Sequence, residues 1–203
     1  KLQLSVHCIG DSANRVSLQV MAEILGNDST SRWRIEHMQL ISENDLMYLE
    51  KYKIIPSMQP THATSDGAWV GERLGQKRLQ YAYALRTCMQ KSGLIALGTD
   101  FPVEEVSPFY TFYAAVTRKH PLTYETFAWL KIEKITPYQA LQGMTIWAAY
   151  AQFEENEKGS LEKGKLADFI VMNEDLFKVD ENKIPQLLPY QVYINGKLVA
   201  GKE

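Results

Sequence analysis

Two histidines and an aspartate carry the chemistry this sequence offers most directly. His7 lies in Val6-His7-Cys8-Ile9-Gly10-Asp11, His37 in Arg34-Ile35-Glu36-His37, and Asp100 in Leu97-Gly98-Thr99-Asp100-Phe101-Pro102. Each closes an apolar, strand-like run with a side chain that can bind a metal, and helical patterns lie between the runs. Successive units of a (β/α) barrel deliver residues to one end of the sheet in this way. A divalent metal held there acidifies its bound water enough to supply hydroxide near neutral pH.

The elements that position these residues follow from periodicity. Residues 2–9 alternate, with Leu2, Leu4 and Val6 on one face and Gln3, Ser5 and His7 on the other. A helix is predicted over 11–25 with Ala13, Val16, Val20 and Ile24 as its apolar stripe, Asp11 or Ser12 as its cap and Gly26 as its stop. A second strand over 32–38 sets Trp33, Ile35 and His37 against Arg32, Arg34 and Glu36, where an Arg34–Glu36 ion pair is available. Ser42-Glu43-Asn44-Asp45 approximates a capping box, with Ile41 and Leu46 spaced as a hydrophobic staple.

Residues 54–58 read as a brief strand weakened by Pro56. Residues 60–78 read as a long polar connection, 79–91 as a helix and 94–99 as a fourth strand. Ser107-Pro108 and Thr136-Pro137-Tyr138-Gln139 open two more helices. From Gly159 the texture turns to strands: 166–172 is one, and Asn195-Gly196 joins two more within 190–199. The order is therefore an α/β array of four strands with helices, followed by a small sheet.

The bulk properties exclude several classes. The 203 residues carry 45% hydrophobic and 23% charged side chains and a formal net charge of −2, as in ordinary soluble globular proteins. There is no basic patch for nucleic acid and no apolar run long enough to span a membrane. Cys8 and Cys88 are far apart, which points to reduced thiols and a cytoplasmic location rather than a disulfide framework. The chain opens directly on a strand pattern and reads as part of something longer.

Other residues divide between chemistry and packing. His62 follows the third strand and is either a substrate contact or a solvated loop residue. Arg73, Arg78 and Arg86 are substrate-carboxylate or structural-pair candidates. Cys8 alternates away from His7 and reads as packing. Asp11 reads as a cap, and Tyr81, Tyr83, Tyr110 and Tyr113 as packing or pocket lining.

Several stretches together resemble the C-terminal part of the amidohydrolase superfamily, specifically family 3, with its YtcJ-like proteins and N-substituted formamide deformylases. They are His7-Cys8-Ile9-Gly10-Asp11-Ser12-Ala13, Arg34-Ile35-Glu36-His37, Gly71-Glu72-Arg73-Leu74-Gly75 and Gly98-Thr99-Asp100-Phe101-Pro102-Val103-Glu104. Further matches are Ile135-Thr136-Pro137, Thr145-Ile146-Trp147-Ala148-Ala149 and the run from Gly159 to Phe169. The resemblance implies that the strands ending at His7, His37, Met58 and Thr99 are strands five to eight of a TIM (β/α)8 barrel. Residues 1–158 would then be partial barrel, and 159–203 a C-terminal segment of the superfamily's small β-sandwich.

The resemblance also implies a ligand set. His7, His37 and Asp100 would hold a divalent metal, for which neutral imidazole suits zinc. Asp100 would also shuttle the proton of the attacking water, and His62 and Arg73 would contact substrate. The superfamily's His-x-His pair on strand one, and its mid-barrel lysine or acidic ligand, have no counterpart here. The expected function is hydrolysis of a small-molecule amide or N-formyl group by the parent protein, with this part inactive alone. A deaminase or cyclic amide hydrolase of the same superfamily is one alternative; Phe101 stands where many deaminases place a second aspartate. A non-catalytic, barrel-like assembly module is another. The bare sheet edges predict pairing with the rest of the barrel or self-association.

Overall fold

The alternating N-terminal run forms β1 (Ser5–Cys8) in the computed structural model, which describes residues 2–201. After it come α1 (Asp11–Leu25), β2 (Arg34–His37), α2 (Leu46–Tyr52), β3 (Ile55–Met58), α3 (Pro60–Ser65), α4 (Gly67–Leu79), α5 (Leu85–Ser92) and β4 (Ala96–Leu97). β1 to β4 are parallel and neighbours in chain order, with Ser5 opposite Arg34, Ile35 opposite Pro56 and Met58 opposite Leu97. Parallel neighbours require crossovers, and helices supply all three. Leu18, Met21, Ile35, Leu49, Ile54, Leu85 and Ile95 lie in the core between sheet and helices.

The remaining helices, α6 (Pro108–Thr117), α7 (Pro137–Met144) and α8 (Ile146–Ala151), continue this layer, with α7 and α8 both against β4. The Thr136 capping box forms as expected: Thr136 Oγ1 accepts from Gln139 N at 3.2 Å and Gln139 Oε1 from Thr136 N at 2.9 Å. β5 (Phe169–Val171), β6 (Gln191–Ile194) and β7 (Lys197–Gly201) make a separate antiparallel sheet. Its hairpin turns at Asn195 and Gly196, both at positive φ (50° and 73°), the conformation that makes Asn-Gly the favoured pair.

Some sequence expectations need correction. α1 has the predicted length and its Gly26 stop, but Val16 and Ile24 are 60% and 64% exposed. The buried face is Asn14, Leu18, Met21 and Leu25. The helix carries two stripes, and Asn14 disguised the inner one as polar. Its amide nitrogen donates to the carbonyls of Gly10 and Leu40 at 3.0 and 2.9 Å, which gives that buried donor its partners. Neither Asp11 nor Ser12 caps α1; Gly10 holds that position, and Asp11 instead pairs with Arg78 at 2.9 Å.

The supposed connection 60–78 is almost entirely helical, as α3 and α4. The buried side of α3 is Pro60, Thr61, His62, Ala63 and Thr64, small or polar groups that hydropathy does not register as a core face. α4 is broken at Gly75, whose φ of 68° leaves the helical region. The helix expected over 79–91 starts only at Leu85, because residues 80–84 turn, with Tyr83 at φ 50°. Ser42-Glu43-Asn44-Asp45 forms no capping box: the buried Asp45 accepts from Arg15 Nε at 3.0 Å instead. The Arg34–Glu36 pair does form, at 2.6 Å.

Candidate metal centre

The C-terminal ends of the four parallel strands converge on one open cavity of about 590 Å³. His7, His37, Gln39, His62, Asp66, Trp69, Asp100 and Glu104 line it. His7 comes from β1 and His37 closes β2, while His62 sits in the first turn of α3 and Asp100 three residues beyond β4. A larger cleft of about 730 Å³ between Glu43, Tyr81 and Glu133 has no histidine or cysteine on its walls.

Backbone geometry brings the two strand-end histidines together. His7 pairs with Glu36 and Cys8 with His37, so strict alternation would put His7 and His37 on opposite faces of the sheet. Their rings nevertheless meet edge-on, with centroids 4.5 Å apart. His37 and Met38 both adopt positive φ (73° and 44°), which ends the pleat and frees the imidazole from its strand's pattern. Asp100 is also left-handed, at φ 58°, a conformation that aspartate tolerates better than most residues.

His37, His62 and Asp100 each bring one ligand atom within 4.8 Å of the others, a group able to hold a metal ion. His37 Nδ1 and His62 Nε2 lie 4.0 and 3.8 Å from Asp100 Oδ2. His37 Nδ1 is also 3.0 Å from Gln59 Oε1; the tautomer with its proton on Nδ1 donates to that carbonyl and leaves the Nε2 lone pair free. His7 stands beside His37, outside the tight group of three. Arg73 is exposed on α4 and does not line the cavity.

The electrostatics suit a neutral imidazole beside a carboxylate. Burial lowers the pKa of His62; the Asp100 charge opposes this and His37 adds to it. Burial raises the Glu104 carboxyl, helped by the nearby charges of Asp66, Asp100 and Glu105 and opposed by a 3.2 Å hydrogen bond from Ser65. In the sequence Glu104 stands out only as part of a motif, and residue type alone marks none of Gln39, Gln59, Asp66 and Trp69. A usable signal exists for the two glutamines, because both sit within two residues of a strand end, where barrel sites are built.

The sequence profile of the amidohydrolase family matches residues 1–200. The chain belongs to the amidohydrolase family. It is 34% identical over 175 residues to the protein LONG AFTER FAR-RED 3 of Arabidopsis thaliana, a match covering 85% of this chain and 30% of that protein. It is 28% identical to the N-substituted formamide deformylase of Arthrobacter pascens, over 97% of this chain and 36% of the relative. An uncharacterized metal-dependent hydrolase from Pyrococcus horikoshii OT3 superimposes with a TM-score of 0.76 at 31% identity, over 89% of this chain and 35% of that structure. The chain thus spans about a third of each of these proteins.

Proposed function

We propose that this chain supplies one side of the active site of a metal-dependent hydrolase that cleaves a carbon–nitrogen bond, an amide or N-formyl group. The convergence of His37, His62 and Asp100 within 4.8 Å at the strand ends carries the reading. A nitrogen and carboxylate donor set suits zinc. His37, Asp100 and the adjoining His7 are the residues that would hold the ion, and the bound ion would supply an acidified water. The amidohydrolase match and the formamide deformylase relative support this class of reaction.

The residues' own part is acid–base work. Asp100 accepts the proton of the attacking water and returns it to the departing amine. The sequential β1–β4 sheet supports an arc of a (β/α) barrel, with the β5–β7 sheet as an appended β-sandwich segment. The rest of the barrel is expected to furnish the remaining ligands. Cys8 and Cys88, free and buried, support a cytoplasmic location.

In the full-length protein, Asp100→Asn is expected to lower kcat for an N-formyl or amide substrate about 100- to 10,000-fold, the usual worth of a positioned acid–base group. His37→Ala is expected to lower bound zinc, measured by elemental analysis. Unchanged metal content and unchanged turnover in both variants would refute the proposal.

A further inference from the structure

Three histidines line the cavity, and of these His62 alone comes from a helix. Pro60 starts α3 two residues past the end of β3 and sets His62 in the first turn. The side chain is only 6% exposed, and its Nε2 is buried with no hydrogen-bond partner. Two candidate ligands stand next to it. The His37 ring lies nearly parallel, with centroids 5.9 Å apart and an interplanar angle of 16°, and Asp100 Oδ2 is 3.8 Å from Nε2.

That separation decides what the two groups can do for one another. A hydrogen bond from a ring nitrogen to a carboxylate needs about 2.7–3.2 Å, so none is made here. Two ligands of one tetrahedral ion, each about 2.0–2.2 Å from it, stand about 3.3–3.6 Å apart, just below the distance found. A buried ring nitrogen left without a partner costs free energy, and an ion shared with the carboxylate removes that cost. The groups behind the ring fit the same role. Bonding through Nε2 leaves the ring proton on Nδ1, whichever tautomer the free imidazole holds. The Gln39 side-chain amide lies 3.1 Å from Nδ1, and a half-turn of that amide exchanges its oxygen and nitrogen, so it can accept the proton. The Tyr83 hydroxyl, whose own proton goes to Asp66, can then accept from the amide nitrogen across 3.4 Å. Metal-bound histidines regularly give their second N–H to an acceptor of this kind.

We infer that His62 is itself a metal ligand, bonding through Nε2 alongside His37 and Asp100. The inference rests on the metal-site reading above. It adds to the strand-end ligands one from the helix that follows β3, and it moves His62 from the substrate-contact role that the motifs imply to the ion.

X-ray absorption of the zinc-loaded full-length protein, with zinc affinity measured by chelator competition, tests this. His62→Ala is expected to show one zinc-bound imidazole fewer than wild type. Its zinc affinity should fall by more than the about 10- to 100-fold that losing an outer group costs. An unchanged imidazole count in the zinc-loaded variant would overturn the inference. His62→Cys gives a second reading that does not depend on how the alanine variant folds. Loaded with cobalt, it is expected to gain a thiolate-to-cobalt charge-transfer band that wild type lacks; cobalt bound without that band would also overturn the inference. A protein that binds zinc through His62 yet cleaves no amide would strike the proposed function and leave this ligand standing. Lost turnover in His62→Ala with every zinc-bound imidazole retained would do the reverse.

Discussion

His37 and Asp100 reach the same cavity because each adopts a left-handed backbone at the end of its strand. That geometry is local, yet no residue type announces it: histidine at positive φ is uncommon, and alternation read strictly predicts the opposite face. The sequence singles out His37 and Asp100 and sets them at one end of the sheet, while the backbone turns that bring them into one cavity are not legible in it. His62 is undecided in the sequence as a loop residue, and its place beside Asp100 arises because α3 opens two residues past the end of β3. Glu104 offers a test at this scale. Its carboxyl is raised by burial, so the native state holds its proton more tightly than the unfolded chain, whose carboxyl has the ordinary value of 4.5. Stability should therefore fall as pH rises from that value through the elevated native one, and remain lower above both. Glu104→Gln should remove this slope, so thermal melts of the two proteins should converge at acid pH and diverge towards neutrality.

Among the elements, α1 shows what periodicity decides and what it leaves open. The helix, its length and its Gly26 stop were all readable. Which of its two stripes faces the sheet was not, since both recur at helical spacing. Leu18 is fully buried, whereas Val16 is 60% exposed. Leu18→Ala in this chain should cost about 2–5 kcal/mol, the usual range for a buried leucine. Val16→Ala should stay within about 0.5 kcal/mol, as for an ordinary surface site. Urea unfolding of the two variants separates the stripes. The misread span 60–78 has a related cause: α3 buries threonines, alanine and histidine, so its core-facing side has no hydrophobic period to find.

For the whole molecule, the outer stripe of α1 matters in another way. Val16, Val20 and Ile24 face outward beside β1, and the exposed Leu2 and Ile9 flank that strand. β1 and β4 are the edges of the described parallel sheet. An apolar stripe next to an unpaired strand edge is the surface on which further barrel strands and helices would pack. The 203-residue chain by itself is expected to self-associate, and Val20→Lys with Ile24→Lys should shift it towards monomer in sedimentation velocity. The same chain is expected to show no zinc-dependent amide hydrolysis until the rest of the barrel is supplied. Turnover by the isolated chain, abolished by Asp100→Asn, would contradict that.

The alternation of strands with helices, the capping box at Thr136, the Asn195-Gly196 hairpin and the family of the motifs can all be read along the chain. These depend on interactions within a few residues or on the order of motifs along the chain. Only folding brings His62 to His37 and Asp100, leaves Arg73 outside the cavity and sets Gln39 and Tyr83 behind the site. Those outcomes depend on left-handed strand ends and on how the helices that follow the strands pack against one another. Such contacts join residues that are dozens of positions apart, and neither residue type nor periodicity encodes their direction.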